Sequence, residues 1–280
     1  MKKILVTGSS GYLGSQFIKI YENSYKFYSF SFQKSSLDEL EFNNIDCVLH
    51  FAALVHQTKA LDYEKYHKVN VSYTLDLAKK AKLKGVSQFL FMSSIAIYDS
   101  STKQLNEMSK KKPSTFYGIS KLNAELLLNE LNDENFKVSI IRSPMIYGNN
   151  APGNINKLKR IVDNFFIIPL GGIKNKRSFI YIKNLCYGIN KIIRKELKGE
   201  FLLCDDQSIS TTKLVSLLAR NSKRRKYIIK IPFFKSLLAY YKPDLFSKLC
   251  TDLVINNKTT RETLNIENPY SLEDAIKDIT

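Results

Sequence analysis

The sequence predicts an α/β protein with a parallel sheet that is covered by helices on both faces. Short, continuous apolar runs such as KKILVTG (2–8), IDCVLHFAA (45–53) and SQFLFMSS (87–94) alternate with segments of helical periodicity. Strands that are buried on both faces give such runs, and strand–helix alternation is typical of parallel sheets. The 280 residues, of which 44% are hydrophobic, suffice for one large α/β domain or for a domain with a smaller appended lobe.

The predicted elements follow in order along the first 150 residues. The N-terminal strand leads into a helix near Gly14, and KFYSFSF (26–32) alternates as a second strand. A third strand precedes a long helix that should end at Gly85, because glycine suits the left-handed position after a helix. A fourth strand, a helix over 117–131 and a strand within 136–148 complete the pattern.

The pattern loosens beyond residue 150, where Gly and Pro recur and helices dominate towards the end. We therefore expect a first domain over 1–150 and a smaller, mostly helical lobe over 151–280. Residues 178–205 are expected to return to the first domain.

The composition limits the partners of the protein. A net charge of +17 suits nucleic acid or an anionic membrane surface. The basic residues are spread along the chain, apart from NSKRRK (221–226), and no nucleic-acid motif accompanies them, so nucleic acid is disfavoured. A local basic patch would suffice for a nucleotide diphosphate. No apolar run is long enough to span a membrane, and the N-terminal segment is too short for a signal peptide.

Cysteines and histidines give no sign of a disulfide or metal site. The cysteines lack a Cys-x-x-Cys pair and lie in apolar stretches, as expected for reduced core residues of a cytoplasmic protein. They are Cys47, Cys186, Cys204 and Cys250. The histidines lack metal-ligand spacing, so no metal is expected. They are His50, His56 and His67.

A glycine-rich loop follows the first strand directly. Gly8, Gly11 and Gly14 have the spacing G-x-x-G-x-x-G at the point where a strand gives way to a helix. Glycines allow a tight turn and a close approach of the backbone to a pyrophosphate, and the helix N-terminus attracts its negative charge. In this position the loop predicts a dinucleotide-binding site rather than a turn without a ligand.

Tyr117 and Lys121 lie one helical turn apart, behind Ser93 and Ser94 at the end of a strand. Alone, these residues could reflect chance, since the chain has 16 tyrosines, or simple helix capping. On a shared helix face, however, the ammonium would favour the phenolate and lower the tyrosine pKa from its usual value of about 10. Such a tyrosine can exchange a proton with a hydroxyl or ketone.

Several segments resemble the extended short-chain dehydrogenase/reductases, the nucleotide-sugar epimerase/dehydratase group, over nearly the whole chain. Besides the glycine loop, the matching segments are VLHFAALV (48–55), VNVSYTLDLAKKA (69–81), SSIAIY (93–98), YGISK (117–121), IIRSPMIYG (140–148) and RSFIYIKNL (177–185). The resemblance implies a Rossmann-type, doubly wound parallel sheet with a smaller, mostly helical C-terminal substrate lobe. It also implies an NAD(P)-dependent enzyme.

The resemblance assigns catalytic roles to three side chains. Tyr117 is the implied acid/base, Lys121 tunes it and holds the nicotinamide ribose, and Ser94 hydrogen-bonds the reacting oxygen. Ser93 is the less favoured of the two serines. In the family's 4,6-dehydratases a threonine with acidic partners lies one or two positions after the serine, whereas Ile95 and Ala96 follow Ser94 here, so dehydratase activity is disfavoured.

The residues predicted to contact the ribose of the cofactor favour NADP, with NAD as the alternative. NAD-specific members usually place an aspartate at the tip of the second strand. This chain has Gln33, Lys34 and Ser35 there, which suit a 2′-phosphate, although they could equally form a solvated loop. The further cofactor contacts that the resemblance implies are Ser10, Tyr12, Leu13, Leu37, Phe51, Ala52, Ala53, Asn70 and Pro144.

The substrate contacts are also implied by the resemblance. An arginine suits a diphosphate because its planar fork binds phosphate oxygens bidentately, although Arg177 could instead pair with a carboxylate and Asn154 could merely form a turn. The implied contacts are Val55, Ser94, Ile95, Asn154 and Arg177. The chain departs from the family at Asn149, where proline is usual, and at Lys183–Asn184, which replaces an aspartate pair.

The strongest resemblance is to reductases of UDP-4-keto-6-deoxy-N-acetylhexosamines, which act in bacterial surface polysaccharide synthesis. The sequence therefore predicts reduction of a C4 ketone of a UDP-sugar. One alternative is a UDP-hexose or UDP-N-acetylhexosamine 4-epimerase with tightly bound NAD, and another is a non-catalytic nucleotide-binding regulator. The resemblance further implies a homodimer through the helices that follow the third and fifth strands, although the apolar face of KLNAELLLNEL (121–131) could equally serve core packing.

Overall fold

The computed structural model describes residues 1–55, 62–222 and 224–279. The strands are β1 (Lys3–Thr7), β2 (Lys26–Phe30), β3 (Cys47–His50), β4 (Gln88–Met92), β5 (Gln104–Leu105), β6 (Lys137–Arg142), β7 (Ile146–Tyr147), β8 (Ile167–Ile168), β9 (Ile180–Tyr181), β10 (Gly199–Leu202), β11 (Tyr227–Ile228) and β12 (Val254–Ile255). The helices are α1 (Tyr12–Tyr21), α2 (Tyr63–His67), α3 (Tyr73–Leu83), α4 (Phe116–Leu131), α5 (Asn154–Asn164), α6 (Ile182–Lys195), α7 (Thr211–Arg220), α8 (Phe234–Tyr241), α9 (Pro243–Cys250), α10 (Lys258–Leu264) and α11 (Leu272–Ile279).

The central sheet has six parallel strands in the order β10–β6–β4–β3–β1–β2. β2 therefore lies on one side of β1 and the later strands lie on the other, so the strand order reverses between β1 and β3. In open α/β sheets, ligands bind beyond the carboxyl ends of the strands at such a reversal. This topology confirms the predicted doubly wound parallel sheet.

Helices cover both faces of this sheet, as the continuous apolar strands predicted. In β1, Ile4 and Val6 belong to a core cluster that also includes residues of α1 and α6. The intervening Leu5 belongs to a second cluster with residues of α3 and α4. Both sides of the strand are therefore buried.

The predicted elements agree with the structure apart from their ends. The helix after the glycine loop begins at Tyr12 rather than near Gly14. β2 ends at Phe30, where its partner β1 also ends, so the predicted continuation of the strand to Phe32 has no partner. Gly85 has a φ of +78° just after α3, which confirms its predicted role.

The C-terminal part contains most of the short helices. Within the stretch predicted to return to the first domain, β10 pairs with β6, and α6 packs against α1. The domain boundary near residue 150 and the homodimer remain predictions. In the described ranges, no helix is both long and apolar enough to cross a bilayer.

A buried hydrogen-bond chain fixes the strand ends at the reversal point. The Thr74 hydroxyl donates to the carbonyl of Asn70 (2.8 Å), so its oxygen accepts from Nε2–H of His50 (2.8 Å). Nδ1 of His50 then accepts from the Thr7 hydroxyl (2.7 Å), whose oxygen accepts from the backbone N–H of Ala52 (3.3 Å). This pattern assigns a neutral imidazole, and burial together with Lys121 lowers the pKa of His50 to about 3.

His50 should make the fold sensitive to acid. The folded protein keeps this imidazole neutral, whereas the unfolded chain binds a proton near pH 6.5, so stability is lost as the pH falls below that value. We expect His50 to contribute a loss of about 2 kcal/mol in the free energy of unfolding between pH 7 and pH 5. Urea unfolding at both pH values should show a smaller loss for His50→Gln. His67→Gln, at a partly exposed histidine, is the control, and an undiminished loss in His50→Gln would contradict the assignment.

Candidate active site

The glycine loop forms a cradle at the reversal point of the sheet. Gly8 has a φ of +71°, and a Cβ atom there would lie 2.6 Å from the backbone nitrogen of Ala52. A Cβ atom on Gly14 would collide with the Gly8 carbonyl oxygen. Among the described residues no side chain caps α1, and its N-cap, Gly11, is exposed like Ser10. The first-turn N–H groups are thus free to bind a phosphate, and these residues fit the diphosphate of a dinucleotide.

Other predicted cofactor residues follow neighbouring strands at the same edge. Gln33, Lys34 and Ser35 are exposed in a turn just after β2, where the backbone N–H groups of Lys34 and Ser35 donate to the carbonyl of Ser31. Phe51 lies directly after β3 with Ala52 and Ala53, and all three are half-buried. Because the carboxyl ends of β1, β2 and β3 meet at one edge, the structure brings these positions together.

An unpredicted π-helical turn positions the loop after β3. Lys68–Ser72 joins α2 to α3 as a π turn, a feature that is frequent at functional sites. Within it, the Asn70 side chain accepts from the N–H of Leu54 (2.7 Å) and donates to its carbonyl (3.0 Å). Its amide also donates to the Ser120 hydroxyl on α4 (2.9 Å). Asn70 therefore ties the loop to the helix that carries the tyrosine and lysine.

Helix α4 lies directly against the end of β4. The Thr115 hydroxyl caps the helix by accepting from the N–H of Gly118 (3.1 Å). A Cβ atom on Gly118 would collide with the Ala96 carbonyl oxygen, so this glycine permits the close approach. The approach brings Tyr117 beside Ser94, whose hydroxyl also accepts from the N–H of Ala96 (3.2 Å).

The electrostatics differ from the prediction for Tyr117. Burial raises its pKa to about 12, against a lowering effect of the hydrogen bond with Ser94. Burial lowers the pKa of Lys121 to about 7, against a raising effect of Glu125. The ammonium of Lys121 donates to the carbonyl of Met92 (2.8 Å) instead of acting on the phenol. The predicted lowering of the Tyr117 pKa by Lys121 is therefore wrong for this arrangement.

A buried polar network that was not predicted lies behind these residues. The Glu125 carboxylate accepts from Nε (3.0 Å) and Nη2 (2.6 Å) of Arg142, and also from the Ser93 hydroxyl (2.5 Å). Arg142 also donates to the Tyr98 hydroxyl (3.0 Å) and pairs with Glu200 (2.7 Å). Ser93 is thus engaged in this network, and the role of Ser94 as the reacting serine stays a prediction.

A cavity of about 370 Å³ lies between predicted site residues from the two halves of the chain. Its lining includes Ser94, Ile95 and Pro144 from the first half of the chain and Arg177 from the second. Two predicted substrate contacts, Val55 and Asn154, are not among the described residues that line it. Val55 is exposed after β3, and Asn154 is the first residue of α5.

Arg177 is anchored by the last turn of α9. Its Nη1 donates to the carbonyls of Ser247 (3.0 Å) and Thr251 (3.1 Å). Burial lowers its pKa, and Asp252 opposes this effect. Backbone carbonyls, rather than the carboxylate of the predicted alternative, are therefore the main partners of Arg177 in the described structure. A guanidinium has five N–H donors, so these contacts leave others for a ligand.

Histidine and cysteine side chains do not form a metal site in the described part of the chain, where no group of three potential ligands comes together. His67 lies in α2, and His56 is outside the described residues. The cysteines are free, and Cys250 is only partly buried, in contrast to its predicted core position.

Comparisons with known proteins agree with this architecture. The model of the NAD dependent epimerase/dehydratase family matches residues 4–203. UDP-glucose 4-epimerase of Vibrio cholerae is 29% identical over 307 residues, covering 99% of this chain and 94% of that protein. N-acetyl-alpha-D-glucosaminyl-diphospho-ditrans,octacis-undecaprenol 4-epimerase of Escherichia coli O157:H7 is 24% identical, covering 88% of this chain and 80% of that protein.

A solved structure shows the same fold. UDP-glucuronic acid 4-epimerase from Bacillus cereus, in complex with NAD, has a TM-score of 0.78 at 18% identity and covers 99% of this chain and 97% of that chain. The family match spans the glycine loop, the tyrosine and lysine of α4, and the central sheet through β10. The chain belongs to the NAD dependent epimerase/dehydratase family and is an NAD(P)-dependent enzyme.

Proposed function

We propose that this enzyme acts at C4 of a UDP-sugar as a 4-epimerase. The observation that carries the proposal is the position of Tyr117 beside Ser94, since Ser94 lines the cavity that Arg177 also lines. The two relatives named above are both 4-epimerases, so we place this activity ahead of the 4-ketoreductase that the sequence favoured. Both relatives act on a sugar that is attached through a diphosphate, which an arginine is suited to bind.

The chain's own residues supply binding and proton transfer. When bound, the nicotinamide cofactor supplies a hydride acceptor and donor. Gly8, Gly11 and the N–H groups at the start of α1 hold its diphosphate. Ser94 hydrogen-bonds the oxygen on C4 and fixes it near the phenol of Tyr117. Tyr117 takes the proton from the C4 hydroxyl during oxidation and returns it to the ketone oxygen during reduction.

The pKa of Tyr117 bears on the direction of this chemistry. At about 12, it keeps the phenol protonated at neutral pH, which suits donation to a ketone. To accept a proton from a hydroxyl, the phenol needs a nearby positive charge. Lys121 can provide this charge if its ammonium leaves the Met92 carbonyl for the tyrosine oxygen, since the two side chains lie one helical turn apart.

The second candidate is the NADPH-dependent 4-ketoreductase. The turn after β2 favours it, because Gln33, Lys34 and Ser35 offer no carboxylate to a ribose 2′-hydroxyl, whereas Lys34 can pair with a 2′-phosphate. The protonated state of Tyr117 also suits a reductase, which needs only proton donation. Preference for NADP and reduction of a 4-keto sugar thus form one linked alternative.

The bound cofactor distinguishes the two candidates. For a 4-epimerase we expect freshly purified protein to release stoichiometric NAD on denaturation and to invert C4 of UDP-glucose or UDP-N-acetylglucosamine without net consumption of the cofactor. An exchangeable site that prefers NADPH, with NADPH consumed on a 4-keto UDP-sugar, would establish the reductase instead. Lys34→Ala should then weaken NADPH binding by about tenfold and leave NADH binding unchanged. Lys19→Ala on α1 serves as the charge control. Failure of both reactions would overturn the proposal.

A further inference from the structure

Helix α8 directs an apolar face to solvent. Phe233, Leu237, Tyr240 and Tyr241 have the spacing of one helix face, and they are 87%, 59%, 81% and 70% exposed. Phe234 on the other side packs against the core, and neither α8 nor the following α9 contains a buried residue in the described structure. A surface helix normally directs its polar side outward, so this exposed apolar side indicates an interaction site.

The exposed surface extends beyond α8. Phe166 and Tyr227 meet with ring centroids 5.0 Å apart beside the β8–β11 pair, and both are about half exposed. From Tyr227 the chain continues through the exposed Ile229 and Ile231 to Phe233. Phe233 itself has a φ of +56°, an unfavourable conformation for a bulky residue, which points to a constraint on its position. We call this surface, from Phe166 and Tyr227 to Leu245 on α9, the aromatic face.

Positive charge surrounds the aromatic face. Residues 224–250 contain Asp244 as their only acidic residue. Among the described residues, none of the basic side chains of this segment forms an ion pair. The exposed ones are Arg224, Arg225, Lys230, Lys235, Lys242 and Lys248. This segment includes the end of the basic run NSKRRK (221–226), and the proposed function makes no use of it.

We propose that the aromatic face docks on the surface of an anionic phospholipid bilayer. Tyrosine and phenylalanine suit the boundary between head groups and acyl chains, and long basic side chains can keep their charges at lipid phosphates while their stems cover apolar surface. Transfer of aliphatic side chains such as those of Leu237 and Ile231 into acyl chains is favourable, whereas a nucleic-acid backbone offers them no comparable apolar contact. A second copy of the chain would bring two positive surfaces together, which disfavours self-association through this face.

The aromatic face adjoins the candidate active site. Ser247 and Thr251, at the end of α9, line the cavity and hold Arg177 through their carbonyls. The same helix thus contributes Leu245 to the aromatic face and one wall to the cavity. Docking through this face would therefore keep the cavity next to the bilayer surface.

The test measures binding of the full-length protein to vesicles by sedimentation. We expect binding to phosphatidylcholine vesicles that contain phosphatidylglycerol, little binding to pure phosphatidylcholine, and weakening by salt. Phe233→Ser combined with Leu237→Ser should lower the partition to anionic vesicles at least about tenfold. Lys235→Glu combined with Lys242→Glu should do the same. The control is Leu83→Ser combined with Met108→Ser, which removes two apolar residues that are 83% and 91% exposed elsewhere.

Three outcomes would overturn the proposal. The first is the absence of binding to anionic vesicles, or an equal loss in the control variant. The second is binding to duplex or single-stranded DNA, but not to vesicles, that depends on the same residues. The third is a concentration-dependent dimer that Phe233→Ser dissociates, without vesicle binding. Because all substituted side chains are exposed, thermal unfolding should confirm that each variant is folded.

Discussion

Tyr117→Phe should lower kcat by about 10²- to 10⁴-fold and leave the KM for the nucleotide sugar nearly unchanged. The substitution removes only the phenolic hydroxyl, which is the proton donor and acceptor in the proposed chemistry. The ring, the cap from Thr115 and the contact of Gly118 with Ala96 all remain, so the cavity and the cofactor cradle should keep their shape. Steady-state kinetics with the substrate identified by the cofactor experiment would measure both parameters.

A second tyrosine provides the matched control for this prediction. Tyr25 is buried and donates from its hydroxyl to Asn190 (2.6 Å), and neither residue lines the cavity in the described structure. Tyr25→Phe should therefore lower stability by about 1 kcal/mol while kcat stays near the wild-type value. If Tyr117→Phe retained full turnover, the proton-transfer role of Tyr117 would be wrong. If both variants lost activity equally, the loss would reflect structure rather than chemistry.

The sequence predicted the parts of this site that depend on local pattern. Gly8 and Gly14 follow a strand and begin a helix, and Tyr117 and Lys121 are one turn apart in an amphipathic helix, so neighbouring residues alone set their placement. The structure brings these positions to one edge of the sheet, as expected from parallel strands.

The unpredicted features depend on partners that are distant in the chain. The ammonium of Lys121 lies at the carbonyl of Met92, and Arg177 lies at the end of a helix about seventy residues later. Local spacing does not predict either contact, because tertiary packing determines which backbone groups lie within reach of these two side chains. The outward aromatic face was missed for a related reason. An apolar stripe has the same period whether a core or a membrane covers it.

Arg142→Met should lower the free energy of unfolding by about 3–5 kcal/mol. Arg142 and Glu125 are each about 1% exposed, and the arginine supplies two hydrogen bonds to the carboxylate. Without the arginine, Glu125 keeps Ser93 as a donor but loses the buried positive charge that compensates it. Urea unfolding at pH 7 would measure the change.

The surface pair Lys198–Glu134 is the control for this effect, since its side chains are 44% and 88% exposed. Lys198→Met should change stability by less than about 1 kcal/mol. The double variant Glu125→Leu with Arg142→Leu should recover part of the loss, because it also removes the carboxylate that Arg142→Met leaves without its arginine. An Arg142→Met effect no larger than that of Lys198→Met would contradict a buried, compensated ion pair.

The Arg142–Glu125 pair should also influence the catalytic residues, because Glu125 affects the pKa of Lys121. Glu125 raises the pKa of this lysine against the lowering effect of burial, which on balance brings it to about 7. Glu125→Gln keeps the size of the side chain but removes its charge, so the pKa of Lys121 should fall further and less ammonium should remain at neutral pH. If the proposed chemistry uses the ammonium, the alkaline limb of the kcat profile moves to lower pH in Glu125→Gln. Lys198→Met should leave the profile unchanged. A loss of stability without this shift would limit the role of Glu125 to holding β4, α4 and β6 together.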